Sequence, residues 1–257
     1  TDSWGLGALV CASGIYYLIM RTLRVTRETL ILSFLVFGYI VGNRGFAQIT
    51  PLGNLPLFLG ELGIVLGSIS VLLYIPFRKT LPFYLNSLSI AILVWMAIGA
   101  MRMQFDLRNY GLVAMRDFAM VYYGIYFFLA QPMARHARSR KLFYFTVAVA
   151  LTVLMPTFFL STAFKHAFIE YLMFDGAPLI FYKGDLVAAY CAAGFFFFVL
   201  LPKTKPYPIY ALLGLACLAT AFFTTSRAAW IGLIFGFVIL FLARKRHVFQ
   251  LLAVAGL

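Results

Sequence analysis

Residues 134–163 read ARHARSRKLFYFTVAVALTVLMPTFFLSTA, and the break in the middle of that stretch decides the fold. Its first part carries Arg135, Arg138, Arg140 and Lys141, whereas Leu142 to Ala163 contains no charged side chain. A helix needs about 20 predominantly apolar residues to cross ~30 Å of hydrocarbon. A knot of lysine and arginine at one end of such a run marks its cytoplasmic side. The stretch therefore reads as a membrane span with a direction.

The same grammar repeats outward in both directions. Apolar runs over Trp4–Met20, Thr29–Gly42, Leu55–Phe77, Leu81–Met101 and Gly111–Ala130 precede it. Leu186–Leu201, Pro208–Phe223 and Ala228–Ala243 follow, and a further run opens near Val248. The second run is short and is expected to continue past Asn43 and Arg44. The expectation is an all-α protein, a polytopic transmembrane helical bundle of about nine to ten spans forming one membrane-embedded domain over residues 1–257. Composition agrees: 63% of the chain is hydrophobic and only 11% is charged, against roughly 25% charged in an ordinary soluble domain. The chain opens at Thr1 and ends at Leu257 inside an apolar run, which reads as a piece of a longer protein, with the alternation of basic loops implying a further span upstream.

The net charge of +13 could suggest nucleic acid. The basic residues, however, sit in short clusters between apolar runs and not along one face, which is the pattern of membrane orientation. Arg21/Arg24/Arg27, Arg78/Lys79, Arg135–Lys141, Lys203/Lys205 and Arg244–Arg246 fall on one side, expected to be cytoplasmic. Nucleic acid is not an expected partner; membrane lipids are. Cys11, Cys191 and Cys217 lie inside apolar runs without metal or disulfide spacing and read as small packing residues. His136, His166 and His247 are isolated, so no metal site is expected. The Phe195–Phe198 run is expected to face lipid, and Lys165–Asp185, rich in aromatics, to lie at the outer interface.

Seven of the eight acidic residues fall outside or in the outer half. Charges within hydrocarbon cost at least ~2.5–3.5 kcal/mol each, so they mark partners or water-filled cavities. Three places stand out. Arg116–Asp117 enters the fifth span; Arg116 can face a cavity while Asp117 pairs with Arg102 or Arg44, or the two can serve an interhelical salt bridge. Thr224-Thr225-Ser226-Arg227 is a polar hairpin that puts Arg227 at a helix start. Free N–H groups and the positive dipole end favour an anion there, and a guanidinium fork matches phosphate oxygens; the alternative is an arginine snorkelling to headgroups. Lys183-Gly184-Asp185 opens the seventh span, with Asp185 as an N-terminal cap and Lys183 as a second positive charge. Glu61 reads as a buried hydrogen-bonding residue, and less readily as a general base.

At these residues a resemblance enters. TTSRAAWIGLIFGFVILFLARKRH, from Thr224 to His247, resembles the Thr/Ser-Arg-Ala/Gly segment of the O-antigen ligase and O-antigen polymerase superfamily of bacterial membrane glycan transferases. LVAMRDFAMVYYGIYFFLA, from Leu112 to Ala130, is similar to an upstream family segment, and KGDLVAAYCAAG loosely matches the span before the Ser-Arg hairpin. The likeness covers about Gly111 to Leu257. It implies a glycosyltransferase of the bacterial inner membrane, acting on the periplasmic face without metal or other cofactor. It would move a glycan from polyprenyl diphosphate to a glycan acceptor. Arg227, Arg116 and Lys183 would bind the diphosphate. The family's large outer loop, with its catalytic His, would lie beyond Leu257, so the general base is expected there and no catalytic residue is assigned in this chain. Two other readings stay open: a transporter or flippase of an anionic lipid-linked substrate, and a non-catalytic subunit of a membrane complex.

Overall fold

A computed structural model of the chain describes residues 25–51, 58–74, 83–111, 118–174, 177–200, 208–224 and 226–243. These residues are helical apart from turns and one two-residue hairpin. In chain order the helices are α1 Arg27–Gly42, α2 Arg44–Ala47, α3 Leu59–Tyr74, α4 Ser87–Tyr110, α5 Ala119–Tyr122 and α6 Ile125–Arg135. There follow α7 Ala137–Ala163, α8 Lys165–Glu170, the strands β1 Met173–Phe174 and β2 Ala177–Pro178, then α9 Gly184–Leu200, α10 Pro208–Phe223 and α11 Arg227–Ala243. Two of them, α4 with 24 residues and α7 with 27, are long and apolar enough to cross a membrane. α3, α9, α10 and α11 are shorter apolar helices. The runs at Trp4–Met20 and beyond Val248 lie outside the described residues.

The described residues divide into two compact units, one reaching to Phe34 and from Gly60 to Phe143, the other comprising Leu35–Leu59 and Tyr144 onward. In the first unit, α4 departs from the expected Leu81–Met101. Asn86 caps its start, its Oδ1 accepting from the Ser89 backbone N–H and hydroxyl, each at 2.8 Å. The helix then continues past Met101 through Arg102, Asp106 and Arg108. Arg102 and Asp106 pair at 3.7 Å one helical turn apart, with the arginine side chain 84% exposed. The helix stops at Gly111, whose φ of 63 suits glycine. Its charged end is continuous with its apolar body because polar side chains that point outward do not break a helix; only the cap and the glycine set its limits.

The expected continuous fifth span is broken where it is described. α5 and α6 are separated by Tyr123–Gly124, where Gly124 N–H bonds to Val121 O and Phe127 N–H to Gly124 O, both at 3.1 Å and both in the tighter i→i+3 pattern. Gly124 faces Met96 and Gly99 faces Val121, so glycines bring α4 close to the broken helix. At the other end of this unit, the Thr26 N–H donates to Ser139 Oγ at 3.2 Å. That contact puts the Arg27 turn beside the basic start of α7, two clusters that the charge pattern assigns to one side. Glu28, also buried, accepts from the Ser70 hydroxyl at 3.0 Å and sits in the first turn of α1, where a carboxylate is favoured.

In the second unit the buried core runs through α7, α9, α10 and α11. Ala150, Leu151 and Leu154 meet Val187, Ala188, Cys191 and Phe195, with Cys217, Ala221, Ala229 and Leu233 closing the cluster. Small residues dominate the seam: Gly194 lies against the Cys217 sulfur and the Leu151 methyls, and both cysteines are fully buried and free. Such residues let apolar helices approach closely when there is little polar surface to match. The expected lipid-facing Phe195–Phe198 run is corrected here. Phe195 and Phe198 are fully buried, and Phe195 and Phe196 pack against Phe237 at 5.8 and 5.4 Å. A helix apolar on every side carries no signal of which side turns inward; Gly214 beside Phe195 and Phe198, and Gly236 beside Phe196, leave the room that the rings fill.

Candidate functional site

The packing of the second unit gathers its polar residues at one end. α9 and α11 run parallel, since Phe196 meets Phe237 late in both and Ala188 shares a cluster with Ala229 early in both. α10 runs against them, with Gly194 on Cys217 and Gly214 on Phe198. Lys183 before α9, Thr224 after α10 and Arg227 at the start of α11 therefore share one end. α7 finishes there as well: Phe159 meets the Phe223 ring at 5.9 Å, and Thr157 and Tyr182 hydroxyls bond at 2.6 Å.

Asn43 ties this end together. Its Oδ1 accepts from the Arg44 N–H at 2.9 Å and from the Lys183 N–H at 3.0 Å, across 140 residues. The Phe181 carbonyl accepts from Arg44 N–H at 3.0 Å, and Phe181 N–H donates to Gly42 O at 3.2 Å, so residue 43 pairs with residue 181 as an isolated bridge. Asn43 is 1% exposed and holds φ at 55, the left-handed half of backbone space in which asparagine is enriched. The expected continuation of α1 past Asn43 and Arg44 is thus corrected: α1 ends at Gly42 and the chain turns into the short α2. An asparagine with a glycine two residues on was a stop signal available in the sequence.

Gly45 makes the same junction possible. A Cβ there would stand 2.3 Å from the Pro178 carbonyl oxygen and 2.8 Å from Phe181 N, both backbone atoms that no rotamer change can move. Gly45→Ala is expected to cost about 1–3 kcal/mol by overpacking, read as a lower midpoint of thermal unfolding in detergent. An unchanged midpoint would show that α2 does not rest on the 178–181 segment.

Of the sequence-assigned residues, Arg227 is the first residue of α11 and is exposed. The Ser226 carbonyl before it accepts from Trp230 N–H at 3.3 Å, opening the helix. The Ser226 hydroxyl is buried and has no hydrogen-bond partner among the described residues. Phe222 and Trp230 close the turn edge to face at 4.3 Å. Lys183 is also exposed, with its backbone held by Asn43. Arg116, and Asp117 with it, lies outside the described residues. Asp185 is not the cap that was expected: α9 already begins at Gly184, and the Lys183 carbonyl accepts from Leu186 and Val187 N–H, leaving Asp185 in the first turn. Glu61 is a hydrogen-bonding residue as read, half-buried and accepting from the Tyr122 hydroxyl at 2.6 Å.

Two features had no clear sequence signal. Arg44, weighed only as a partner for Asp117, comes to this end through α2, its guanidinium 5.9 Å from the Phe181 ring centroid. Tyr182 is half-buried; burial raises its phenol above the ordinary value, and the bond to Thr157 only partly opposes that. It stays a neutral hydroxyl near neutral pH. The result is an end that carries the exposed cations Arg44, Lys183 and Arg227, with Asp185 the exposed carboxylate near Lys183 in the chain. Chemically it suits an anion. Comparison of the chain with protein families, curated proteins and solved structures found no match.

Proposed function

We propose that the chain is a multi-pass protein of the bacterial inner membrane whose cationic end faces the periplasm and binds a polyprenyl-diphosphate-linked glycan, for transfer to an acceptor in the manner of O-antigen ligases and polymerases. The observation that supports the reading is that one end is shared by Arg227, the expected diphosphate ligand, and Lys183, expected with Arg116 to assist it. Arg227 supplies a planar donor fork at a helix start whose own N–H groups already favour an anion. A developing diphosphate leaving group is the charge such an arrangement stabilises. The reading is supported further by the exterior of α4, where Leu88, Ile90, Trp95, Ile98, Met101 and Phe105 are all exposed; so much adjacent apolar surface suits lipid and not water.

Transport of the same kind of substrate is the second reading. The break at Tyr123–Gly124 favours it, because interrupted helices build binding sites in many transporters. Uptake or flipping of a lipid-linked substrate by proteoliposomes holding only this protein would select it over transfer.

Topology tests the common frame. In a cysteine-free background, Arg138→Cys and Tyr171→Cys present exposed positions, Tyr171 being 84% accessible. An impermeant maleimide added to intact spheroplasts is expected to label position 171 and to reach position 138 only after lysis. Equal labelling of both in intact cells would reject the orientation.

A further inference from the structure

We infer that a cleft beside the cationic end is a binding site for one anionic phospholipid. The cleft has a volume of about 230 Å³ and lies among the end of α7, α8 and the segment 180–182, wholly within the second unit. Phe158, Phe168, Ile169, Ile180 and Phe181 give it apolar walls. Its polar rim is formed by Ser161, Thr162, Tyr182 and Lys165, and Lys165 is the one ionisable cation among them. Ser161 and Thr162 spend their hydroxyl protons on the Phe158 carbonyl at 2.8 and 2.9 Å, which leaves Lys165 as the charged donor of the lining. The site therefore offers a mainly apolar slot with a single ammonium in its lining.

Its surroundings name the occupant. Phe164, Tyr171, Leu172 and Met173, which precede and follow α8 in the chain, are all exposed. Aromatic and apolar side chains left open beside a lysine are what the headgroup level of a bilayer accommodates. A ligand that lays an acyl segment against the phenylalanines and isoleucines while presenting phosphate to Lys165 is an acidic phospholipid. Charge complementarity selects it over a zwitterionic lipid, whose own ammonium would compete with the lysine. The inference stands without the glycan-transfer reading, since Arg227 and Lys183 are not among the residues that line the cleft.

The test is native mass spectrometry of the whole protein released from nanodiscs of equal phosphatidylglycerol and phosphatidylcholine. Retention of one phosphatidylglycerol is expected, in roughly tenfold preference, as loss of one charge-assisted bond corresponds to about that factor. Lys165→Gln, which keeps a polar N–H donor and removes the charge, should abolish the preference. Phe168→Ala should lower retention of both lipids, and Lys141→Gln, an exposed lysine on the first turns of α7, should change neither. Equal retention of the two lipids by the wild type, or a preference that survives Lys165→Gln, would overturn the assignment. So would retention of a polyprenyl phosphate in place of phosphatidylglycerol when both are offered. Circular dichroism of each variant identifies any that fails to fold; the wild-type comparison decides the matter alone in that case.

Discussion

Replacing Asn43 by alanine is expected to destabilise the protein by about 2–4 kcal/mol, one orphaned backbone donor plus the strain of a positive φ. The Lys183 N–H loses its acceptor, while the Arg44 N–H keeps the Phe181 carbonyl at 3.0 Å. A buried donor left unsatisfied costs about 1–3 kcal/mol. The alanine must also hold φ at 55 without the local hydrogen bonds that help asparagine there. Asn43→Gly separates the two causes: it removes the same acceptor but relieves the backbone, so it should be less damaging than alanine by about 1 kcal/mol. Chemical denaturation in mixed micelles measures both. A loss below about 1 kcal/mol for Asn43→Ala would mean that water serves the Lys183 N–H and that Asn43 is no keystone.

Arg227→Ala is expected to reduce glycan transfer by roughly 10- to 150-fold, the rate equivalent of the ~1.5–3 kcal/mol carried by one charge-assisted hydrogen bond felt in the transition state. Arg227→Lys discriminates between roles. An anchor to headgroups needs only positive charge and a flexible stem, so lysine would serve. A diphosphate ligand uses two parallel donors of the guanidinium, so lysine should lose most of the activity. Because Arg227 is exposed and bears no packing load, neither variant should shift the unfolding midpoint. Transfer is measured in membranes with matched expression. Full activity from both variants would take the residue out of the mechanism and leave the glycan-transfer reading without its central contact.

The two proposed sites, for phospholipid and for diphosphate, lie in the same unit but make separable demands. Lys165→Gln acts on lipid retention and Arg227→Lys on transfer. A protein that lost both functions in either variant would point to collapse of the Asn43 junction on which the whole end is built.

The helices were legible because they follow from local facts. Apolar length, the basic flank before Leu142 and the proline-punctuated gap before Pro208 each specify a segment without reference to any other. α10 accordingly has the bounds read from the sequence, Pro208–Phe223, and α11 differs by one residue. α4 was misread at both ends, since apolarity fades gradually while the helix itself is set by Asn86 and Gly111. The site was legible only in part. Arg227 and Lys183 announce themselves as charges beside apolar runs, but Arg44 does not, because nothing in its own segment says that residue 43 meets residue 181.

The sequence alone determined that the described chain is helical, where most helices lie and which residues carry charge at their ends. Only the tertiary structure decided that Phe195 and Phe198 turn inward, that the fifth apolar run breaks at Tyr123–Gly124, and that Asn43 holds Arg44 to Lys183. The physical reason is common to all three. A helix apolar all round has no preferred face until a neighbour of complementary shape is present, and a backbone N–H has no assigned partner until a buried acceptor from elsewhere in the chain arrives to satisfy it.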